Sequence, residues 1–225
     1  MSYQIEMIKV VAQGLGELIN QITFVGGSVT GIYATDKASS TPRPTEDVDC
    51  VVSLTTLSDF YKFEEQLRAK GFTNDMESNI ICRWKYKNIS VDIMTPDNLL
   101  GFTNSWYPEG IKNATNYLLP NGLNVKIFSA TYFIATKLIA FGNRCQDMRY
   151  DSDFEDIIYV LNNRKEIKDE IFTANKEVLE FIKQEFTAFL SHPTIYESIS
   201  CALGDENERT VLIINIMKLI SDYKI

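Results

Sequence analysis

The sequence contains one histidine, His192, and its four cysteines stand singly along the chain. No two cysteines form a C-x-x-C pair, and no cysteine lies close to the histidine. Structural zinc sites need such clusters of ligands, so the composition disfavours a zinc site. The spacing does not indicate a disulfide framework either. The cysteines are Cys50, Cys82, Cys145 and Cys201.

Basic residues are few relative to acidic ones: 22 lysines and arginines against 30 aspartates and glutamates give a net charge of -8. Broad, non-specific binding of nucleic acid needs a basic surface, so the composition argues against that class, although a local basic groove stays open. Long hydrophobic runs are missing, and residues 1–6 carry neither the basic start nor the apolar core of a signal peptide. We therefore expect no membrane partner and a cytoplasmic location.

Hydrophobic residues make up 45% of the 225 residues, which is typical of a globular protein with one domain or two small ones. Strand-like alternation dominates up to about Ser129, and helical spacing dominates after it. The sequence therefore predicts an α+β protein. We expect residues 1–128 to form a mixed sheet flanked by helices, and residues 129–225 to form a helical bundle that completes a ligand-binding cleft.

Several elements of the first domain are predicted by their spacing. Apolar residues recur at helical intervals over residues 5–19 and predict a helix. An apolar, β-branched run predicts a buried strand at residues 22–25. Two more strands, at residues 80–86 and 88–94, are predicted to form a hairpin that turns at Lys87-Asn88.

A glycine turn follows the strand at residues 22–25. Gly26 and Gly27 allow the backbone to turn sharply and to approach a ligand closely, and Ser28 can cap a helix that starts there. Backbone N–H groups at such a turn bind anions, and phosphate is the usual anion. An ordinary tight turn with a helix cap would give the same pattern.

Three carboxylates are placed on two predicted strands. Asp47 and Asp49 lie two residues apart, so their side chains point to the same face of one strand. Asp92 is the single charge in the apolar strand at residues 88–94, where an unpaired carboxylate is costly to bury. If these strands are neighbours, the cluster can hold a hard divalent cation, and Asp92 can help to hold it or accept a proton. An edge-strand position facing water is the alternative for Asp92.

The motifs Gly26-Gly27-Ser28 and Asp47-Val48-Asp49, followed by the lone Asp92, resemble the nucleotidyltransferase superfamily with the polymerase-beta-like fold. The resemblance implies that the glycine–serine turn binds a nucleoside triphosphate, that the paired aspartates hold Mg²⁺, and that Asp92 assists the nucleophile. The chain departs from the compact members of the superfamily in the longer, polar stretch between Ser28 and Asp47. Lys37 and Arg43 in this stretch either reach the triphosphate or remain solvated loop charges.

A second pair of motifs lies in the helical half. Residues 135–141 with Lys137 and Arg144, followed by residues 152–158 with Asp153 and Asp156, are similar to the lysine–arginine and aspartate–aspartate motifs of AbiEii-type nucleotidyltransferases. These include toxins of toxin–antitoxin systems. The alternatives are a snorkelling lysine for Lys137 and helix-dipole charges for the aspartates.

This second resemblance implies that Lys137 neutralises triphosphate charge and that Arg144 helps to bind the triphosphate. It also implies that Asp153 and Asp156 orient these cations or contact the base or ribose. The implied activity is transfer of a nucleoside monophosphate to RNA, such as tRNA, or to protein, with an antitoxin as partner. A small-molecule acceptor of the aminoglycoside type and a non-catalytic nucleotide-binding protein are the alternatives. The residues after about Asn163 resemble no family.

Overall fold

A computed structural model describes residues 2–54, 56–97, 103–144 and 147–224 of the chain. The chain forms two compact units. The first contains residues 1–29 and 44–129, and the second contains residues 30–43 and 130–225. That residues 1–128 and 129–225 form separate domains stays a prediction. In the structure, residues 30–43 belong to the second unit although they precede residue 128. Cys145 lies outside the described residues.

The first unit is built on a mixed sheet that contains the seven described strands, in the order β3-β4-β5-β2-β1-β7-β6. Pairs β1–β7 and β2–β5 are parallel, and pairs β1–β2, β3–β4, β4–β5 and β6–β7 are antiparallel. The strands are β1 (Ile22–Val25), β2 (Asp47–Val52), β3 (Thr73–Asn74), β4 (Arg83–Tyr86), β5 (Ile89–Met94), β6 (Thr115–Leu118) and β7 (Asn124–Ile127).

Three described helices accompany this sheet: α1 (Tyr3–Leu15), α2 (Leu57–Ala69) and α3 (Tyr107–Lys112). Helix α1 buries an apolar face against the sheet, but it is shorter than the predicted helix at residues 5–19. Gly16 has a positive φ of 56°, which glycine adopts readily and which ends the α-helix, and a 3₁₀ helix continues from Gly16 to Gln21. The predicted helix is therefore correct in its first part and wrong in its last turn.

The predicted hairpin is confirmed at its turn and wrong at its start. Lys87 and Asn88 both have positive φ, at 47° and 64°, as a two-residue type I′ turn requires. Strand β4, however, begins at Arg83, and Ile81 is 75% exposed rather than buried in a strand. Strand β6 was not predicted, because its residues are mostly polar and exposed, as is common in an edge strand.

The second unit is helical. Its described helices are α4 (Ala130–Arg144), α5 (Ser152–Asn163), α6 (Ile167–Phe172), α7 (Lys176–Ser191), α8 (Ile195–Ala202) and α9 (Asn207–Ser221). Rings from three of them form an aromatic cluster: Phe154 and Phe189 contact edge to face with centroids 5.4 Å apart, and Phe141 contacts both. None of the helices described in the chain is long and apolar enough to cross a membrane.

The segment at residues 30–43, called the inserted segment below, packs on the helices of this unit. The carbonyl oxygen of Asn163 accepts hydrogen bonds from the backbone N–H groups of Thr35 and Asp36, at 2.9 and 3.0 Å. The Tyr159 hydroxyl donates to the carbonyl oxygen of Ser40 at 3.0 Å. These bonds hold the segment along helix α5.

Candidate metal centre

Three carboxylates meet in register on neighbouring strands of the first unit. Strands β2 and β5 are parallel and place Asp49 directly opposite Asp92, while Asp47 lies two residues before Asp49 on the same face. One ligand oxygen from each side chain lies within 4.8 Å of the others. The structure thus brings together the three acidic residues that the sequence singled out. Asp92 is 7% exposed, so the edge-strand alternative is wrong.

Arg83 compensates part of this negative charge. It lies opposite Asp92 on strand β4, and its Nε and one terminal nitrogen donate to the two oxygens of Asp92, both at 2.7 Å. The same terminal nitrogen donates to Asp47 Oδ2 at 2.9 Å. These bonds, partly offset by burial, raise the pKa of the guanidinium, which is therefore permanently charged. One positive charge thus faces three carboxylates.

Gly26 lets the turn after β1 approach Asp49 closely. Its φ is 67°, and a Cβ built on it would lie 1.8 Å from Asp49 Oδ2, closer than any side chain allows. Val25, the preceding residue, is paired with Asp49 across strands β1 and β2. The structure therefore explains why position 26 is a glycine: any larger residue would collide with a carboxylate of the cluster.

Ser28 differs from the prediction in its local role. The element after Gly26 is a 3₁₀ helix from Gly27 to Tyr33, so Ser28 lies inside it rather than before it. The buried Ser28 hydroxyl donates to the carbonyl oxygen of Val25 at 3.4 Å, across the glycine turn. This bond stabilises the turn, and binding of a triphosphate by residues 26–28 stays a prediction.

The donor set fits a hard divalent cation. Mg²⁺ binds oxygen ligands at about 2.0–2.1 Å in octahedral geometry, so adjacent ligand oxygens are about 2.9 Å apart and opposed ones about 4.2 Å, and the clustered oxygens would draw closer together around the ion. Asp92 remains able to bind, because each carboxylate oxygen has two lone pairs and Arg83 uses one on each. Asp47 accepts at Oδ1 from the Thr45 hydroxyl at 2.8 Å and at Oδ2 from Arg83. The cluster therefore has lone pairs to share with a metal.

Two buried thiols adjoin the cluster. Burial, together with Asp49 and Asp92, raises the pKa of Cys50 well above its ordinary value. The same causes raise the pKa of Cys82 to about 12. Cys50, Cys82 and the exposed Cys201 are free thiols, so both cysteines near the carboxylates are protonated core residues at neutral pH.

The predicted site residues of the helical half form a second charged cluster, within the second unit. Lys137 is 7% exposed and its Nζ contacts Asp153 at 2.9 Å and Asp156 at 2.7 Å. Arg144 also pairs with Asp153. Burial works against the charge on Lys137 but the two carboxylates outweigh it, so its pKa is raised. The snorkelling alternative for Lys137 is therefore wrong. The two aspartates contact the cations as predicted: Lys137 pairs with both, and Arg144 pairs with Asp153.

Arg43 belongs to this second cluster. Its Nε and Nη2 donate to the two oxygens of Asp156, at 3.0 and 2.8 Å, so it is not a solvated loop charge. Reaching a triphosphate stays a prediction for Arg43, whereas Arg83 was not predicted as a site residue. The signal for Arg83 was available: it stands four residues before Lys87, and Asp92 stands four residues after Asn88, so a hairpin that turns at these two residues places them opposite each other.

The sequence matches no protein-family model and no curated protein. The structure is similar to the crystal structure of an antigenic nucleotidyltransferase-like protein from Paracoccidioides brasiliensis, with a TM-score of 0.54. The match covers 88% of this chain and 92% of that one, with 18% identical residues. The AbiEii-type subgroup stays a prediction at this identity. The likeness concerns the fold, and it confirms the predicted α+β class: this chain has a nucleotidyltransferase-like fold.

Proposed function

We propose that this protein is a metal-dependent nucleotidyltransferase, which moves a nucleoside monophosphate from a nucleoside triphosphate to an acceptor hydroxyl. The observation that carries the proposal is the convergence of Asp47, Asp49 and Asp92 beside the turn at Gly26. The nucleotidyltransferase-like fold supports the same conclusion. A carboxylate cluster beside a glycine turn offers a metal site and backbone N–H groups for phosphate in one place.

Asp47, Asp49 and Asp92 are the residues that would hold Mg²⁺. A divalent cation bound there would neutralise triphosphate charge and make the α-phosphorus a better electrophile. Backbone N–H groups at Gly26, Gly27 and Ser28 would orient the phosphates. The acceptor hydroxyl would then attack the α-phosphorus, and pyrophosphate would leave. The contribution of the protein is mainly positioning and electrostatics.

Asp92 is the residue that would accept the proton of the attacking hydroxyl. Both of its oxygens accept hydrogen bonds from Arg83, which fixes the plane of the carboxylate and leaves the outer lone pairs available. A fixed carboxylate is useful because proton transfer needs an acceptor within about 2.6–3.2 Å of the hydroxyl. Arg83 is therefore a positioning residue for Asp92.

The second cluster is proposed to bind the triphosphate. Lys137 and Arg144 carry the positive charge, and Asp153 and Asp156 hold them in place. The ion pairs keep the lysine charged and ordered in the free protein. Binding of triphosphate then does not have to order this side chain, which removes one entropic cost of binding. On this proposal Lys137 stabilises charge that develops on the phosphates during transfer.

The acceptor is proposed to be RNA, such as tRNA, or a protein, as for AbiEii-type toxins with an antitoxin partner in the cytoplasm. The net charge of -8 favours a protein or a small molecule, such as an aminoglycoside, over RNA. A toxin arrests growth when it is expressed without its antitoxin. Asp47→Asn and Asp49→Asn should relieve such arrest, and unchanged growth with the intact chain would contradict the toxin assignment.

A non-catalytic nucleotide-binding protein is the second candidate, and one observation favours it. Arg83 already binds oxygens of Asp47 and Asp92, so a metal must compete with a resident cation at two of its three ligands. If Arg83 wins this competition, the fold binds nucleotide without transferring it. Metal affinity therefore separates the two candidates.

The experiment is incubation of the protein with each α-labelled triphosphate, Mg²⁺, and total cell RNA and protein, resolved on a gel. Label on one RNA or protein band, lost in the Asp47→Asn/Asp49→Asn variant, would support transfer and identify the acceptor class. The matched control is Asp59→Asn, which removes an exposed carboxylate on helix α2. Binding of triphosphate without Mg²⁺ binding or transfer would favour the second candidate, and binding of both without transfer would favour a small-molecule acceptor. Absence of both would refute the proposal.

A further inference from the structure

Thr45 is hydrogen-bonded to one of the three carboxylates of the candidate metal centre. Its hydroxyl donates to Asp47 Oδ1 at 2.8 Å. Thr45 is half-buried and lies between the inserted segment and strand β2, whose first residue is Asp47. The bond therefore ties the stretch of chain that enters the strand to a carboxylate of the cluster.

Asp47 is less constrained by the sheet than Asp92. It is the first residue of its strand, whereas Asp92 lies inside strand β5. Its side chain is 29% exposed, against 10% for Asp92. Arg83 donates two hydrogen bonds of 2.7 Å to Asp92, but a single one of 2.9 Å to Asp47. The hydroxyl of Thr45 supplies a second bond to Asp47, at the oxygen that Arg83 does not contact.

Thr45 and Arg83 differ in charge, and this gives them opposite consequences for a bound cation. The guanidinium carries a positive charge, which opposes a cation at the oxygens that the two would share. A hydroxyl is neutral, so it orients the carboxylate without this repulsion and leaves a second lone pair on Asp47 Oδ1. Loss of a hydrogen bond to a metal-binding carboxylate typically lowers metal affinity by about 10–100-fold.

We propose that Thr45 is a positioning residue for the metal, which fixes the carboxylate of Asp47 in the orientation that binds Mg²⁺. The inference rests on the proposed function, because it takes the three clustered carboxylates to be the metal ligands. Thr45 acts only through Asp47. A fixed carboxylate matters more for Mg²⁺ than for Ca²⁺, because Mg²⁺ demands near-ideal octahedral geometry whereas Ca²⁺ accepts a flexible one. Thr45 therefore contributes to the preference for Mg²⁺ as well as to its affinity.

The test is calorimetric titration of the full chain with Mg²⁺ and, separately, with Ca²⁺. The variant is Thr45→Val, which removes the hydroxyl and keeps the branched shape of the side chain. We expect the affinity for Mg²⁺ to fall about tenfold and the affinity for Ca²⁺ to fall by a smaller factor. Thr45→Ser keeps the hydroxyl and should restore most of the affinity for Mg²⁺. Urea unfolding without metal verifies that each variant is folded, and Thr45→Ala takes the place of Thr45→Val if the latter is not.

The matched control is Thr187→Val in the second unit. The Thr187 hydroxyl donates to the carbonyl oxygen of Lys183 at 2.8 Å, the same length as the bond from Thr45 to Asp47. Its loss should leave both affinities unchanged. A second comparison is Arg83→Met, because a general loosening of the cluster would lower the affinity for Mg²⁺ in both variants. The proposal requires opposite signs: the affinity falls when the neutral donor is lost and rises when the cationic donor is lost.

The outcomes separate this inference from the proposed function. If the wild type binds Mg²⁺ and Thr45→Val binds it equally well, the positioning role is refuted while the metal centre stands. An equal loss of affinity for Mg²⁺ and Ca²⁺ that Thr45→Ser does not restore would also overturn the positioning role. If the wild type binds neither ion, the metal centre itself is refuted, and the inference falls with it.

Discussion

Arg83 and Asp92 face each other on the antiparallel strands β4 and β5 and form a two-bond ion pair, with both N···O distances at 2.7 Å. The same guanidinium extends to Asp47 on strand β2. One arginine thus ties together two of the three carboxylates of the candidate metal centre. It stabilises the carboxylates without metal, and it competes with a metal for their oxygens.

Replacing Arg83 by Met should therefore have opposite effects on stability and on metal binding. The metal-free variant should lose about 2 kcal/mol of unfolding free energy, below the 3–5 kcal/mol of a fully buried pair because the arginine side chain is 20% exposed. Its affinity for Mg²⁺ should rise about tenfold, because the positive charge of the guanidinium no longer opposes a cation at the oxygens that the two would share. Urea unfolding with and without Mg²⁺ measures both effects.

The control for this variant is Lys62→Met, which removes a 70% exposed lysine whose ion pair with Asp59 is 3.6 Å long. It should change stability by less than about 1 kcal/mol. If Arg83→Met bound Mg²⁺ no more tightly than the wild type, the competition between arginine and metal would be ruled out.

Gly26→Ala should disturb Asp49 directly. Both Gly26 and Gly122 have positive φ, at 67° and 84°, so alanine at either position costs about 1–2 kcal/mol of backbone strain. At Gly26 the new methyl group would also collide with Asp49 Oδ2, whereas Gly122 has open space around it. Gly26→Ala should therefore be the more destabilising, and it alone should weaken Mg²⁺ binding. Calorimetry of metal binding to both variants tests this, and equal losses would argue against the close approach to Asp49.

Lys137→Met should be strongly destabilising, because it leaves Asp153 and Asp156 buried without their central cation. Breaking a buried pair costs about 3–5 kcal/mol. Lys168→Met is the control in the same unit, since its ion pair with Asp169 is exposed and 3.6 Å long. Chemical unfolding measures both variants. A loss below 1 kcal/mol in Lys137→Met would show that Arg43 and Arg144 compensate the aspartates without it.

The same cluster should limit stability at both ends of the pH range. Burial opposes ionisation of Asp153, but Lys137 outweighs it and lowers the folded-state pKa below 3.8. Stability from this group is therefore complete above that value and is lost as the pH falls through the folded pKa. Lys137 has a folded pKa above 10.5, so its contribution is complete below 10.5 and is lost as the pH rises through the folded pKa. Asp153→Asn should reduce the fall in unfolding free energy as the pH drops below 3.8. An unchanged fall would exclude ionisation of Asp153 as its cause.

The free thiols should react in a fixed order. Cys201 is exposed, whereas Cys50 and Cys82 are buried and have raised pKa values. Iodoacetamide at pH 8 should alkylate Cys201 while Cys50 and Cys82 stay unmodified until urea unfolds the chain. Peptide mass mapping separates the sites. Early alkylation of Cys50 would show that strand β2 opens in the native protein.

The sequence predicted the carboxylate cluster because strand alternation fixes which side chains share a face. Asp47 and Asp49 needed only this rule, and Asp92 needed the further guess that its strand is the neighbour of β2. The turn at Lys87-Asn88 was predictable because two-residue turns have strong sequence preferences. These features depend on residues close together in the chain.

The cations that pair with these carboxylates differ in how far they lie from them along the chain. Arg83 is only nine residues before Asp92, so the predicted hairpin already implied its position opposite that carboxylate. Arg43 looks like a loop charge until helix α5 brings Asp156 against it, 113 residues further along the chain. Local pattern carries no information on such contacts, and the exposed Ile81 shows that an apolar run does not guarantee burial.

The inserted segment also imposes an order on synthesis. Residues 30–43 leave the ribosome long before helix α5, whose Asp156 lies 113 residues after Arg43. At about 5–20 residues per second, a nascent chain carries the segment without its partners for roughly 6–20 seconds. Strands β1 and β2 must therefore pair while the inserted segment between them has not yet bound helix α5. This is possible because the entropic cost of closing a loop grows only slowly with its length. Neither unit is one continuous stretch of chain, so helix α5 must be translated before the inserted segment can settle.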